Sequence, residues 1–155
     1  MIHAVRRRFS APMLVFCWFV AVSPASRAAL GGTLDTVTDD EARMHAARTI
    51  TGRAGYEVHE LVLASGTVVR EFVAPSGIVF GVAWQGPFKP DLSQLLGGYF
   101  PRLATAAKGQ HGDHRMLRLN VDDLVIESGG RMRAFAGRAF VPQLLPAQVP
   151  AGDIR

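Results

Sequence analysis

Three runs of β-branched and aromatic residues follow one another: "YEVHELVL" (Tyr56 to Leu63), "TVVREFVA" (Thr67 to Ala74) and "IVFGVAW" (Ile78 to Trp84). Such runs read as strands, and the Ser65-Gly66 and Ser76-Gly77 pairs between them are short enough to make an antiparallel meander. The first two runs alternate. Tyr56, Val58 and Val62 share one face while Glu57 and His59 point away, so His59 is expected on a solvated side. The third run does not alternate: Ile78, Phe80, Val82 and Trp84 fall on one face, and Val79, Gly81 and Ala83 on the other. A strand apolar on both faces belongs at the centre of a sheet, and Gly81 with Ala83 leaves shallow ground for a helix to approach.

A helix is predicted immediately afterwards. Pro90 stops the extended chain, Asp91 and Gln94 have the spacing of a capping box, and Leu92, Leu95, Leu96, Tyr99, Phe100 and Leu103 form an amphipathic stripe. Gly97, Gly98 and Pro101 interrupt that stripe and predict a kink. Upstream, "TVTDDEARMHAAR" (Thr36 to Arg48) reads as a short peripheral helix, with Thr38 or Asp39 as cap. Downstream, "KGQHGDHR" (Lys108 to Arg115) is a polar loop. "VDDLVIES" (Val121 to Ser128), Gly129-Gly130 and "RMRAFAGRAFV" (Arg131 to Val141) then predict a β-hairpin. Phe135 and Phe140 lie five apart, so a bulge near Gly137 is needed to bring both inward. Pro142, Pro146 and Pro150 keep the tail, residues 142–155, extended. The pattern as a whole predicts an α+β domain: an antiparallel meander plus a hairpin, with a kinked helix packed on one face of the sheet.

The first 28 residues stand outside this pattern. Arg6, Arg7 and Arg8 precede an apolar stretch, Ala11 to Val22, and Ser26 and Ala28 supply small residues at the spacing of a signal-peptidase site. Cleavage is expected after Ala28, leaving a single domain over 29–141 and the tail 142–155. The apolar run falls short of the roughly 20 residues that span a bilayer, so no membrane span is expected after cleavage. "LVFC" superficially resembles a lipid-attachment box, but Phe16 stands before Cys17 where a small residue is required. The export signal implies a periplasmic or secreted protein.

Removal of this segment changes the charge. The full chain carries 17 Lys and Arg against 13 acidic residues, a formal net charge of +4. Arg6, Arg7, Arg8 and Arg27 leave with the signal, and the remainder is formally neutral, without the electrostatic footprint of a nucleic-acid partner. The one cysteine, Cys17, also leaves, which excludes thiol catalysis, disulfides and cysteine metal sites from the mature chain.

Residues with chemistry to offer are few. His111, Asp113 and His114 in "HGDH" are the one close cluster of metal-ligand types, but a tight site needs a third or fourth ligand at defined distance. Arg131, Arg133 and Arg138 can form a cationic strip for an anionic ligand such as a lipid phosphate or acidic glycan, or simply protect a strand edge. Trp84, Phe88, Tyr99 and Phe100 can line a pocket at the helix kink, or fill a core. His59 and Glu60 are adjacent on a strand and project to opposite faces, so they cannot form one acid/base unit. No Gly-x-Ser-x-Gly elbow, phosphate-binding glycine loop or His-Glu-x-x-His motif occurs.

"GYEVHE", "GTVVREFVAPSGIVFGVAWQGP", "PDLSQLLGGYF" and "GGRMRAFAGRAFVPQLLP" together resemble an uncharacterised family of small exported proteobacterial proteins, domain of unknown function 2844. The resemblance runs from about Leu30 onward and implies a Gram-negative envelope setting; it brings no activity, cofactor or catalytic residue. The leading expectation is a non-catalytic periplasmic binding or interaction module, without a cofactor, that engages a small ligand or an envelope protein. One alternative is an envelope enzyme, a metal-assisted hydrolase built on His111, Asp113 and His114. Another is a cell-envelope assembly or surface-structure factor acting through its tail.

Overall fold

Antiparallel pairing organises the chain, as the turn chemistry predicts. A computed structural model describes residues 29–109, 116–121 and 123–155. Among them, strands β1 (Ala47–Arg53), β2 (Tyr56–Val62), β3 (Val68–Val73), β4 (Val79–Gly86), β5 (Met116–Val121), β6 (Leu124–Arg131) and β7 (Ala134–Phe140) form one sheet in the order β1-β2-β3-β4-β7-β6-β5. The β2–β3–β4 meander turns through Gly66 and Gly77, both at φ near +80°, a conformation that only glycine adopts without strain. The α+β expectation holds, with β4 in the middle of the sheet.

Both edge strands go beyond the sequence reading. Helix α1 (Leu34–Met44) starts two residues before the expected helix, at an N-cap on Thr33 rather than Thr38 or Asp39. It ends at His45, whose φ of 48° turns the chain out of the helix. Ala47 and Arg48, expected as helix, therefore open β1, and Arg48 reaches back to α1 through Glu41 (3.1 Å) and the Thr38 hydroxyl (3.2 Å). The second edge strand, β5, occupies residues that follow the polar loop, and Val121 ends it instead of opening β6.

The hairpin of β6 and β7 also differs in detail. Its two-residue turn is Met132-Arg133, with Arg133 at φ 61°, while Gly129 and Gly130 continue inside β6. A Cβ on Gly130 would lie 2.2 Å from the Ala134 carbonyl oxygen, so this glycine permits close strand contact rather than making the turn. No bulge occurs at Gly137: the register of β7 is continuous against both β4 and β6, leaving Phe135 and Phe140 on opposite faces. Gly137 instead seats the indole of Trp84, which a Cβ there would approach to 2.3 Å.

The irregularity lies in β4. Phe72 pairs with Gly81 and Val73 with Val79, so Phe80 is an extra residue. This bulge places Phe80 with Gly81 and Ala83 on one face, and Val79 with Val82 and Trp84 on the other. The expected grouping of Phe80 with Val82 and Trp84 is thus corrected.

The helices cover the Val82 and Trp84 face, not the shallow one. Helix α2 (Leu92–Leu96) starts as predicted, with Asp91 accepting the backbone N–H of Ser93 (2.8 Å) and Gln94 (3.3 Å). The Gln94 side chain does not complete the capping box but donates to Asp40 of α1 at 2.7 Å. A 3₁₀ turn (Gly97–Tyr99) separates α2 from α3 (Phe100–Gly109), which makes the predicted kink. Pro101 sits in the first turn of α3, where its missing N–H costs no helical bond. Leu95, Leu96 and Leu103 are the buried anchors of this layer.

The shallow face is covered by the C-terminal segment. It runs through 3₁₀ turns at Pro142–Leu144 and Ala151–Asp153, so it is not extended throughout. Val149 and Ile154 are buried with Phe72, Phe80, Ala83 and Phe140. Ile154 fills the ground left by Gly81, where an added Cβ would come within 3.0 Å of its Cδ1. Arg138 fastens the segment by donating to the carbonyls of Ala151 (2.9 Å) and Ile154 (3.4 Å). Ile154→Ala is accordingly expected to cost about 2–5 kcal/mol of unfolding free energy, the range for truncating a buried aliphatic side chain. Urea denaturation measures this; an unchanged midpoint would mean that the last residues are not part of the core.

Candidate functional site

The aromatic residues singled out from the sequence are mostly core. Trp84 is buried, Tyr99 and Phe100 pack against the helix-side cluster, and Tyr99 lies over Gly31. Phe88 is exposed, although its backbone is held by the Thr67 hydroxyl, which donates to its carbonyl at 3.0 Å. The arginines do not form one strip. Arg131 and Arg133 are exposed at the β6–β7 turn, whereas Arg138 is half-buried in mid-sheet and engaged with Glu127 and the C-terminal segment. His111, Asp113 and His114 lie outside the described residues.

What the fold brings together instead is a row of charges on the face that carries the C-terminal segment. Strand register aligns Glu60, Arg70, Ala83, Arg138, Glu127 and Arg118 across six strands. Arg70 pairs with Glu60 at 2.8 Å and Arg138 with Glu127 at 3.0 Å, while Arg118 stands 4.0 Å from Glu127. Cross-strand pairs at this exposure are worth about 0–1 kcal/mol each, so their larger effect is on the shape and charge of the surface.

Two hollows flank this row and share Arg70 and Arg155 as lining. The larger, about 500 Å³, lies over β1–β3 beside the C-terminal segment. Its rim carries Thr49, Thr51, Gln148 and Asp153, and its floor Tyr56, Val58 and Phe72. The Tyr56 ring packs on Phe72 and Phe80 at centroid distances of 6.1 and 5.9 Å, which fixes it in place. Its hydroxyl donates to Asp153 at 3.4 Å; burial first, then the Asp153 charge, raises the phenol above its ordinary pKa. The smaller hollow, about 300 Å³, is bordered by Gln85, Met116, Gly129 and Ala136. Sequence reasoning missed this surface because its members come from all seven strands and the tail. The legible signal was the period-2 spacing of Tyr56, Val58 and Glu60.

The opposite face hides a second polar group. Glu71 of β3 stands directly across from His59 of β2, both buried, and Asp40 of α1 is buried above them. His59 is therefore core, not solvated. Asp40 Oδ1 accepts from the Gln94 amide, and the Glu71 and Asp40 carboxyls share a side-chain hydrogen bond for which one of them must keep a proton, while neither His59 nitrogen has a partner of good geometry among the described residues. His59 Nε2 lies 3.5 Å from Glu57 Oε2, too long and misdirected for a good hydrogen bond. Burial, reinforced by the Asp40 charge, pushes the Glu71 carboxyl up to about 9, and burial likewise raises Asp40. His59 is lowered by burial. Near neutral pH the cluster thus holds a protonated Glu71 and a neutral His59, which suits a packed interior. The triplet is closed to substrates, and no three His, Asp or Glu among the described residues converge to hold a metal ion. Parity with Leu61 on β2, and with Val69 and Val73 on β3, was the signal for its burial.

Fold and site together define a seven-stranded antiparallel α+β domain with helices on one face and a polar groove beside a C-terminal strap on the other. The chain belongs to a family described as protein of unknown function (DUF2844), whose family model matches residues 26–154. No curated protein and no solved structure matches it. Among the described residues, no helix is long and apolar enough to cross a membrane.

The buried cluster makes stability depend on pH. The pKa of Glu71 is higher folded (about 9) than its ordinary 4.5, so its stabilising contribution is full below pH 4.5 and is lost as pH rises toward 9. Asp40 acts in the same direction. His59 acts oppositely: its pKa is lowered from 6.5, so its contribution is present above pH 6.5 and lost as pH falls. Above pH 6.5 the carboxyl effect is unopposed, and the melting temperature is expected to fall up to pH about 9, with Glu71 contributing at most about 1.4 kcal/mol per pH unit. Glu71→Gln keeps the shape without the proton and is expected to remove most of that slope. Thermal melts across this range decide it; an unchanged slope in the variant would show that Glu71 is not the group responsible.

Proposed function

We propose that this protein is a non-catalytic binding module of the Gram-negative periplasm, delivered by residues 1–28 and matured by cleavage after Ala28. The basic start, the apolar stretch and the small residues at Ser26 and Ala28 support export. The observation that carries the binding reading is the open groove of about 500 Å³ between the C-terminal segment and β1–β3. Its size falls within the roughly 300–1,000 Å³ of small-molecule sites, and its polar groups come from strands and a fastened strap. The groups best suited to acid/base work, Asp40, His59 and Glu71, are sealed in the core, which favours binding over turnover. Engagement of an envelope protein through a free tail has less support, since Val149 and Ile154 are buried within the domain.

Native mass spectrometry of the untagged protein from its own periplasmic extract tests both parts. The expected spectrum shows a chain beginning at Ala29 and a non-covalently bound small molecule. An intact N-terminus confined to the cytoplasm would overturn the export reading, and a bare chain the small-ligand reading.

A further inference from the structure

The groove has an unbalanced inventory of charge. Its two acidic side chains are each engaged: Glu60 with Arg70 at 2.8 Å, and Asp153 with the Tyr56 hydroxyl at 3.4 Å. Three guanidinium groups, Arg53, Arg70 and Arg155, line the same hollow. Arg70 is committed to Glu60, but Arg53 and Arg155 make no ion pair or hydrogen bond among the described residues. Both sit close enough to Tyr56 to bear on its hydroxyl electrostatically, one from the end of β1 and the other from the end of the C-terminal segment. The phenol hydrogen bond leaves the Asp153 charge in place, so three arginines against two carboxylates leave the side chains of this hollow with one net positive charge, although the chain downstream of Ala28 is formally neutral.

The rest of the lining narrows the ligand. Thr49 and Thr51 offer hydroxyls, Gln148 an amide, and Tyr56, Val58 and Phe72 an apolar floor. Hydroxyls and an amide above an aromatic floor match a ring that has polar edges and a less polar face. A guanidinium fork matches a planar carboxylate in two parallel hydrogen bonds, about twice as strong as neutral ones. We infer that the groove binds an acidic saccharide, a uronic-acid-type ring whose carboxylate is received by Arg53 and Arg155 while its hydroxyls meet Thr49, Thr51 and Gln148. This rests on the binding-module reading and assigns its ligand class. The anion site moves from the Arg131, Arg133 and Arg138 strip to residues of β1 and the C-terminal segment.

The test is amide chemical-shift mapping on residues 29–155, titrated at low salt with trigalacturonate, a trimer of a uronic acid, and in parallel with maltotriose, a neutral trisaccharide. Trigalacturonate is expected to shift the amides of Thr49, Thr51, Tyr56 and Gln148 and to bind at least tenfold more tightly than maltotriose. The double variant Arg53→Gln/Arg155→Gln, at two exposed positions, is expected to abolish that preference without moving the melting temperature. Added salt is expected to weaken the acidic probe alone, because exposed charges are screened. Equal binding of the two probes, a preference that survives in the double variant, shifts confined to the β6–β7 turn, or no shifts at all would each overturn the inference. Its failure is separable from that of the binding module. A co-purifying neutral molecule, with the groove untouched by trigalacturonate, would sink the acidic ligand alone; a bare native chain together with an unresponsive groove would sink both.

Discussion

Strand β4 is apolar on both faces and lies in the middle of the sheet, so it must be covered twice. Val79, Val82 and Trp84 need one layer, and Phe80, Gly81 and Ala83 another. The helical layer α1–α2–α3 can lie on only one side. After β7 comes the C-terminal segment, whose Pro142, Pro146 and Pro150 keep it from forming a second helical layer. It covers the second face as a strap, anchored where Gly81 admits Ile154 and where Arg138 holds two of its carbonyls. A strap covers less than a layer does. The sheet beside it, over β1–β3, remains open as a groove, so the same constraint that completes the core also leaves a surface on which a ligand can sit.

The helical side meets a different constraint. Its buried strand positions are apolar except at Glu71, His59 and Ser128, and the first two sit side by side in the row that also contains Val82, Ala139 and Ile126. A charged carboxylate in that row would cost several kcal/mol, so the carboxyl keeps its proton and the imidazole stays neutral. Asp40 and Gln94 bring α1 and α2 to the same point, making this polar cluster a junction of the two helices and the sheet. Buried polar groups of this kind stabilise little, but they disfavour alternative packings in which they would be worse placed.

How much was legible depends on how local each feature is. The meander, its two Ser-Gly turns and the Asp91 start of α2 were readable, because each follows from the conformational preference of a few adjacent residues. The break at Gly97 was readable for the same reason. The edge strands were harder to see: β1, "ARTITGR", has Ile50 as its only large apolar residue, since an edge strand with exposed faces needs no hydrophobic stripe. Gly129-Gly130 looked like a turn because glycines usually mark one, yet it permits close strand contact and the turn fell on Met132-Arg133. Of the candidate site, the sequence offered the parity of Tyr56, Val58 and Glu60 but not their neighbours, which lie up to 99 residues away at Arg155.

By itself, then, the sequence determined the three strands of the meander and the start of α2, that the sheet is antiparallel, and that β4 is central. These are local matters of periodicity, turn chemistry and capping. The tertiary structure alone decided which face each residue occupies. One extra residue at Phe80 shifts the side-chain parity of β4, and whether a face is interior depends on what later lands on it. That is why His59 and Glu71 became core, why the tail and not the helix took the shallow face, and why, among the described residues, the unpaired arginines lining the groove are Arg53 and Arg155. Facing is a property of the assembled layers, not of any residue within them.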